Sequence, residues 1–211
     1  MTSWKNNNTL ESRRLVEEVL NPTKRPEKVV AENLEHLRAL IYERIEDQGF
    51  KANLNDIDTS NITDMSQLFS STYRRDGDFD ILDPLGKPSD GIDFSRFDGD
   101  ISQWDVSNVR DMVEMFAESK FNGDISQWDV SNVENMAFMF YKSEFNGDIS
   151  QWDVSDAKNM DMMFKDSKFS GNITGWDIAK ARYTDEMFLG SPLEGKEPSW
   201  YTPRKPSWYN S

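Results

Sequence analysis

The 211-residue chain has no cysteine. That excludes disulfides, thiolate metal sites and a cysteine nucleophile. It has one histidine, His36, between Glu35 and Leu37 and off the nearby apolar stripe, so His36 reads as a surface residue. With a single imidazole, no histidine cluster for a metal is available, and no Ser–His–Asp set or phosphate-binding loop stands in the sequence. No apolar run approaches the roughly 20 residues of a membrane-spanning helix. The first residues, Met1-Thr2-Ser3-Trp4-Lys5-Asn6-Asn7-Asn8, carry no apolar export region, which leads us to expect a cytoplasmic or virion location. Positive charge is also scarce. Lys and Arg number 24 against 38 Asp and Glu, a net charge of −14. Residues 97–192 hold 18 acids and 8 bases, whereas residues 1–49 are nearly balanced. Such a field repels nucleic acid and anionic membranes, so neither is an expected partner.

The chain does have a repeat. Phe121-Asn122-Gly123-Asp124-Ile125-Ser126-Gln127-Trp128-Asp129-Val130-Ser131-Asn132-Val133 recurs almost unchanged from Phe145. Phe97, Phe121, Phe145 and Phe169 are spaced by 24 residues, as are Trp104, Trp128, Trp152 and Trp176, and Phe116, Phe140, Phe164 and Phe188. A fixed period of this size signals a solenoid, because so short a unit cannot bury its own apolar side chains and must stack on copies of itself. Ile125, Trp128 and Val130, with Asp129 between the last two, predict a short strand. Val133, Met136, Met139 and Phe140 fit one face of a short helix, with Ser131 as its N-cap. Gly123 is expected to take a positive φ in the turn Phe121–Asp124 that leads into the strand. The expected fold is therefore an α/β solenoid, leucine-rich-repeat-like, of five coils of about 24 residues.

Phe-Asn-Gly-Asp-Ile-Ser-x-Trp-Asp-Val-Ser-Asn-Val-x-x-Met-x-x-Met-Phe resembles the repeat of the BspA-like leucine-rich-repeat surface proteins, found in bacteria, mycoplasmas, some protists and phages. The resemblance covers about residues 50–192. It implies a non-enzymatic scaffold for binding a protein partner or for self-assembly. Two alternatives stay open: a structural or attachment component of a phage particle held by its tails, and an acidic inhibitor occupying a basic, nucleic-acid-binding surface.

Residues 1–49 predict an N-terminal cap of two helices. Asn8 and Glu11 form a capping box for the first, which Asn21-Pro22 ends. Pro26-Glu27-Lys28 opens the second, whose face is Val30, Leu34, Leu37, Ile41 and Ile45, and Gly49 stops it. Residues 50–192 are the repeats, beginning with a diverged copy at Phe50, Leu54, Ile57, Ile62, Met65, Leu68 and Phe69. Residues 70–96 read as an inserted loop and residues 193–211 as a Pro/Trp/Tyr-rich tail.

Candidate sites follow from what the repeat does not explain. Phe138, Tyr141 and Met162 are apolar at positions expected to face outward. Trp200, Tyr201, Trp208 and Tyr209 follow Pro-Ser pairs in the tail and are candidate binding anchors or a lid on the last coil. Asp105, Asp129, Asp153 and Asp177 are expected to stack as an acidic column, stabilised by backbone N–H groups and by Ser107, Ser131 and Ser155. Asp76, Asp78 and Asp80 copy the first ligands of a calcium loop, but Ile81 replaces its turn glycine and Lys87 its bidentate glutamate, so no metal is expected. No cofactor and no catalytic residue is expected.

Overall fold

The computed structural model describes residues 28–71 and 92–202. Within each repeat the chain is a succession of hydrogen-bonded turns. Trp128 N–H donates to Ile125 O, Val133 N–H to Val130 O, and Met139 N–H to Met136 O, at 3.2, 2.9 and 3.2 Å. Each turn has a buried apolar residue at both ends, so Ile-x-x-Trp, Val-x-x-Val and Met-x-x-Met are three pairs spaced i, i+3. An Asp or Asn precedes each pair and folds back on it. Asp124, Asp129 and Asn135 accept from the N–H two residues ahead, at 2.9, 3.1 and 3.3 Å. These short polar side chains favour turns because they reach their own backbone.

The strand expected over Ile125–Val130 and the helical turn expected over Val133–Phe140 are therefore absent. The physical reason is the Asx residue at each corner, which stabilises a bend every five or six residues and prevents either element from propagating. Gly123 does not adopt a positive φ. It is glycine because the Phe121 ring lies over its Cα, and a Cβ there would sit 2.8 Å from two ring carbons.

Successive repeats are joined in register. Trp128 Nε1 donates to Ile101 O, Trp152 Nε1 to Ile125 O and Trp176 Nε1 to Ile149 O, at 3.2, 3.0 and 3.1 Å. Phe97, Phe121, Phe145 and Phe169 stack with ring centroids 6.1–6.3 Å apart. Phe116, Phe140, Phe164 and Phe188 do so at 5.6–5.9 Å. Asn146 N–H donates to Asn122 Oδ1, and Asn132 Nδ2 to Ser107 O, both at 2.8 Å, so the repeat's asparagines also bridge neighbours. Each buried apolar column is thus bordered by polar groups that find partners in the next repeat, as buried polar groups must.

The first repeat keeps this register across the insertion. Met65 N–H donates to Asp111 O and Phe69 N–H to Met115 O, both at 2.9 Å. The described ends of the 70–96 segment stay with the repeats. Ser71 N–H donates to Ala117 O, and Ser95 O, within the 3₁₀ turn Phe94–Arg96, accepts from Lys120 N–H.

The N-terminal side is closed by β1 (Val29–Val30), α1 (Leu34–Gln48) and β2 (Ile57–Asp58), with β1 and β2 paired in parallel, Val29 opposite Ile57. Helix α1 begins later than Pro26-Glu27-Lys28 suggests. Asn33 is its N-cap, accepting from His36 N–H at 2.9 Å, because β1 takes the preceding residues into an extended pairing. Gly49, at φ 76°, ends it. Leu37, Leu40, Ile41 and Ile45 are buried against the first repeat, and Arg44 donates Nε and Nη2 to Asp56 Oδ2 at 3.1 and 2.9 Å. The first expected helix lies outside the described residues.

Candidate functional site

The wall of each repeat that carries the paired methionines is held by a backbone ladder. Met112, Glu114, Phe116 and Glu118 donate their N–H groups to the carbonyls of Asn135, Ala137, Met139 and Tyr141, at 2.9, 3.0, 2.9 and 2.7 Å. The same four bonds recur one repeat on. There Met136, Phe138, Phe140 and Lys142 donate to Asn159, Asp161, Met163 and Lys165. Half of these donors have a left-handed backbone. Glu114, Phe138 and Met162 have φ of 53–57°, and Glu118, Lys142 and Asp166 have φ of 51–56°. An L-residue in that region costs roughly 1–2 kcal/mol, and a bulky one such as Phe138 is unusual there. The conformation aims each of these N–H groups at the next repeat, so the ladder offsets the cost.

This ladder presents Phe138, Tyr141 and Met162 outward, each half-buried. Phe138 and Tyr141 meet edge to face with centroids 5.8 Å apart, and Lys142 Nζ lies 4.9 Å from the Tyr141 ring centre. Met162 occupies the Phe138 position of the following repeat. Charge surrounds the three. Lys142 pairs with Glu118 at 3.6 Å, and Lys165 pairs with Glu186. The contact with Tyr141, and then the Glu118 carboxylate, hold the Lys142 ammonium above its ordinary value.

Asp105, Asp129, Asp153 and Asp177 lie at the second corner of their repeats. Their carboxylates accept from the N–H of Ser107, Ser131, Ser155 and Ala179 at 3.0–3.1 Å. Ser107 and Ser131 add hydroxyl donors at 2.6 Å. The Ser155 backbone N–H, and then its hydroxyl, hold Asp153 below the usual carboxylate range. Around this corner Glu134 sits between Arg110 and Lys158, and Lys180 pairs with Asp156. These are exposed pairs between neighbouring repeats and contribute little to stability.

Trp200 and Tyr201 belong to the stack. Trp200 follows Trp176 by 24 residues, stacks on it at 6.4 Å and 13°, and donates Nε1 to Ile173 O at 3.0 Å. Leu193 stands 24 residues after Phe169 and packs on the same core. Tyr201 meets Phe188 edge-on at 4.9 Å, and burial raises its hydroxyl pKa. Residues 191–202 thus complete part of a further repeat. The spacing from Trp176 to Trp200 carried that signal, together with Ser191 and Gly195, which keep the 24-residue register of Ser167 and Gly171, whereas the rest of the motif is lost. Trp208, Tyr209, Asp76, Asp78 and Asp80 lie outside the described residues. Among the described residues, no helix is long and apolar enough to cross a membrane.

The recurring corners and registered columns mark a protein built of 24-residue repeats, which is consistent with the BspA-like repeat type to which the family below belongs. A family profile described as a Mycoplasma protein of unknown function, DUF285, matches residues 27–82 and 91–200, well over half of the chain. The chain belongs to that family. Its match breaks within the insertion and ends at Trp200, the last residue of the tryptophan column. No curated protein and no solved structure matches the chain.

Proposed function

We propose that this protein is a non-catalytic scaffold, a solenoid of five repeats under an N-terminal helical cap, that binds a protein partner on the methionine wall through Phe138, Tyr141 and Met162. The observation that carries this reading is the identity of the residues at the strained positions. A left-handed backbone favours Gly or Asn, yet Phe138 and Met162 occupy two of these sites, at φ of 57° and 53°. Strain of this kind clusters at functional sites. Aromatic anchors with a charged rim are the usual centre of a protein interface. The aspartate columns favour a structural role over an inhibitor's decoy of phosphates, since each carboxylate already caps backbone.

The test joins one variant to one crosslink. Phe138→Asn, Tyr141→Ser and Met162→Asn together replace the anchors with residues that tolerate the backbone. A photo-crosslinking side chain at Glu114, beside the anchors, is compared with one at Ser126, on another wall. In the cell of origin the first is expected to give a discrete protein adduct that the triple variant loses, and the second none. Equal adducts from both walls, or an adduct indifferent to the triple variant, would overturn the reading.

A further inference from the structure

The methionine wall is acidic on both sides of its apolar centre. The third repeat puts no acid there, and between Asn135 and Lys142 its half-buried side chains include Phe138 and Tyr141. The repeat before it brings Asp111, Glu114 and Glu118, and the repeats after it bring Asp161, Asp166, Asp185 and Glu186. Against these carboxylates the same stretches hold only Lys142 and Lys165. Lys142 reaches back to Glu118 of the preceding repeat, and Lys165 reaches forward to Glu186 of the following one. Each lysine thus leaves the apolar centre for one of its acidic ends, and the wall keeps its negative sign. Glu118, Lys142 and Asp166 form one column, at φ of 56°, 51° and 56°, beside the column of Glu114, Phe138 and Met162. The backbone of the wall is already committed. In the second, third and fourth repeats the ladder N–H groups all find carbonyls in the next repeat, ending with Asp166 N–H on Leu189 O at 2.8 Å.

We infer that the partner's binding element is a basic amphipathic helix lying along the repeat axis, its apolar residues on Phe138, Tyr141 and Met162 and its cations at the two acidic ends. This rests on the reading that those three residues are a binding surface, and adds what binds there. With the wall's N–H groups and carbonyls spent on the ladder, a strand cannot add across this face. A helix brings its own backbone bonds and needs only side-chain contacts. The spacing suits one. Glu118 and Asp166 stand two repeats apart, about 10 Å at about 4.8 Å per rung. At about 1.5 Å per residue, cations at i and i+7 of a helix span about the same length, with i+3 and i+4 between them on the same face. Charge of this sign steers a basic segment in and keeps an acidic one out. A second copy of the chain does not suit, because the exposed residues of its α1 are Glu35, Glu43, Glu46 and Asp47.

The probe is a fluorescein-labelled peptide, Lys-Ala-Ala-Leu-Leu-Ala-Ala repeated twice and closed by Lys, which puts Lys and Leu on one helical face. Three controls accompany it: Glu for every Lys, the same composition with Lys opposite Leu, and Pro for one central Ala, which breaks the helix. Anisotropy is read on the full chain at about 150 mM salt, where charges more than about 8 Å apart are largely screened. The probe should bind saturably below about 1 mM, and each control at least about ten-fold more weakly. Glu118→Lys with Asp166→Lys should weaken the probe by about ten-fold or more. Lysine is tolerated at both places, since Lys142 holds the same position of the repeat between them. Gln127→Lys, an exposed change on another wall, should alter binding by less than about two-fold. The triple variant at Phe138, Tyr141 and Met162 should lose the probe. No saturable binding, equal binding of any control, or indifference to the Glu118 and Asp166 changes would overturn the inference. The crosslink from Glu114 does not use the probe, so a wall-specific adduct beside any of these results would leave the binding surface standing and remove only the basic helix.

Discussion

Trp128→Ala tests how the repeats hold together. Trp128 is 4% exposed, stacks on Trp104 at 6.5 Å and 4°, leans on Phe116 at 6.3 Å, and donates Nε1 to Ile101 O. Truncating a buried tryptophan costs about 3–5 kcal/mol in lost burial and cavity. Leaving the Ile101 carbonyl without its donor costs about 1–3 kcal/mol more where water does not replace it. Trp128→Phe separates the two, since it keeps a stacked ring and loses only the donor and some volume. We expect at least about 3 kcal/mol for Trp128→Ala and about 1–3 kcal/mol for Trp128→Phe, from urea unfolding followed by far-ultraviolet circular dichroism. Neighbour dependence gives a second readout. Trp104→Ala with Trp128→Ala should depart from additivity by about 0.5 kcal/mol or more, and Trp104→Ala with Trp176→Ala should add within about 0.5 kcal/mol. A loss below about 1 kcal/mol for Trp128→Ala would refute the reasoning, because no buried, stacked and hydrogen-bonded tryptophan is removed so easily.

Gly123→Ala should destabilise by about 1–3 kcal/mol, since its Cβ meets the Phe121 ring, while Gly175→Ala, with nothing within 4 Å, should be neutral or slightly stabilising; thermal melts compare them. Asp58 and Asp153 are held below the usual carboxylate range by backbone N–H groups of Ser60 and Ser155, and Asp148 by that of Ser150. A depressed folded-state pKa contributes stability that is present above the unfolded value, about 3.9, and is lost as pH falls through the folded value. Denaturant midpoints should therefore decline below about pH 4. Asp148→Asn with Asp153→Asn should flatten that decline while keeping the corner, because Asn135 and Asn159 make the same bond without titrating; an unchanged acid limb would mean these carboxylates do not set it.

The period and the buried positions were legible because they depend only on spacing and polarity. Phe121, Ile125, Trp128, Val133, Met136, Met139 and Phe140 are all buried, as their recurrence implies. What fills the space between them was not legible. A run such as Val133, Met136, Met139, Phe140 has the same i, i+3 spacing in a helix and in successive tight turns, so periodicity does not separate the two. The deciding residues are Asp124, Asp129 and Asn135, which look like ordinary surface polarity until their place before each apolar pair is noticed. The left-handed positions were illegible for a different reason. Their occupants, Glu114, Phe138 and Met162, are not the glycines that usually mark such a backbone, and the conformation is imposed by the neighbouring repeat. Trp200 was separated from its column because the residues around it lack most of the motif, although its register with Trp176, and that of Ser191 and Gly195 with Ser167 and Gly171, was in the sequence.

The central claim is that a 24-residue unit is the element of structure and that each unit answers only to its neighbours. Removing residues 121–144 should therefore leave a shorter, cooperatively folding protein, since Lys120 would meet Phe145 in the register it now shares with Phe121, and every ladder would close again. Removing residues 121–132 should not, because it would set the tryptophan turn of one unit against the methionine turn of the next. Circular dichroism and urea unfolding of the two deletions read the difference. The account predicts a sharp transition for the first and none for the second, and equal disruption by both would contradict it.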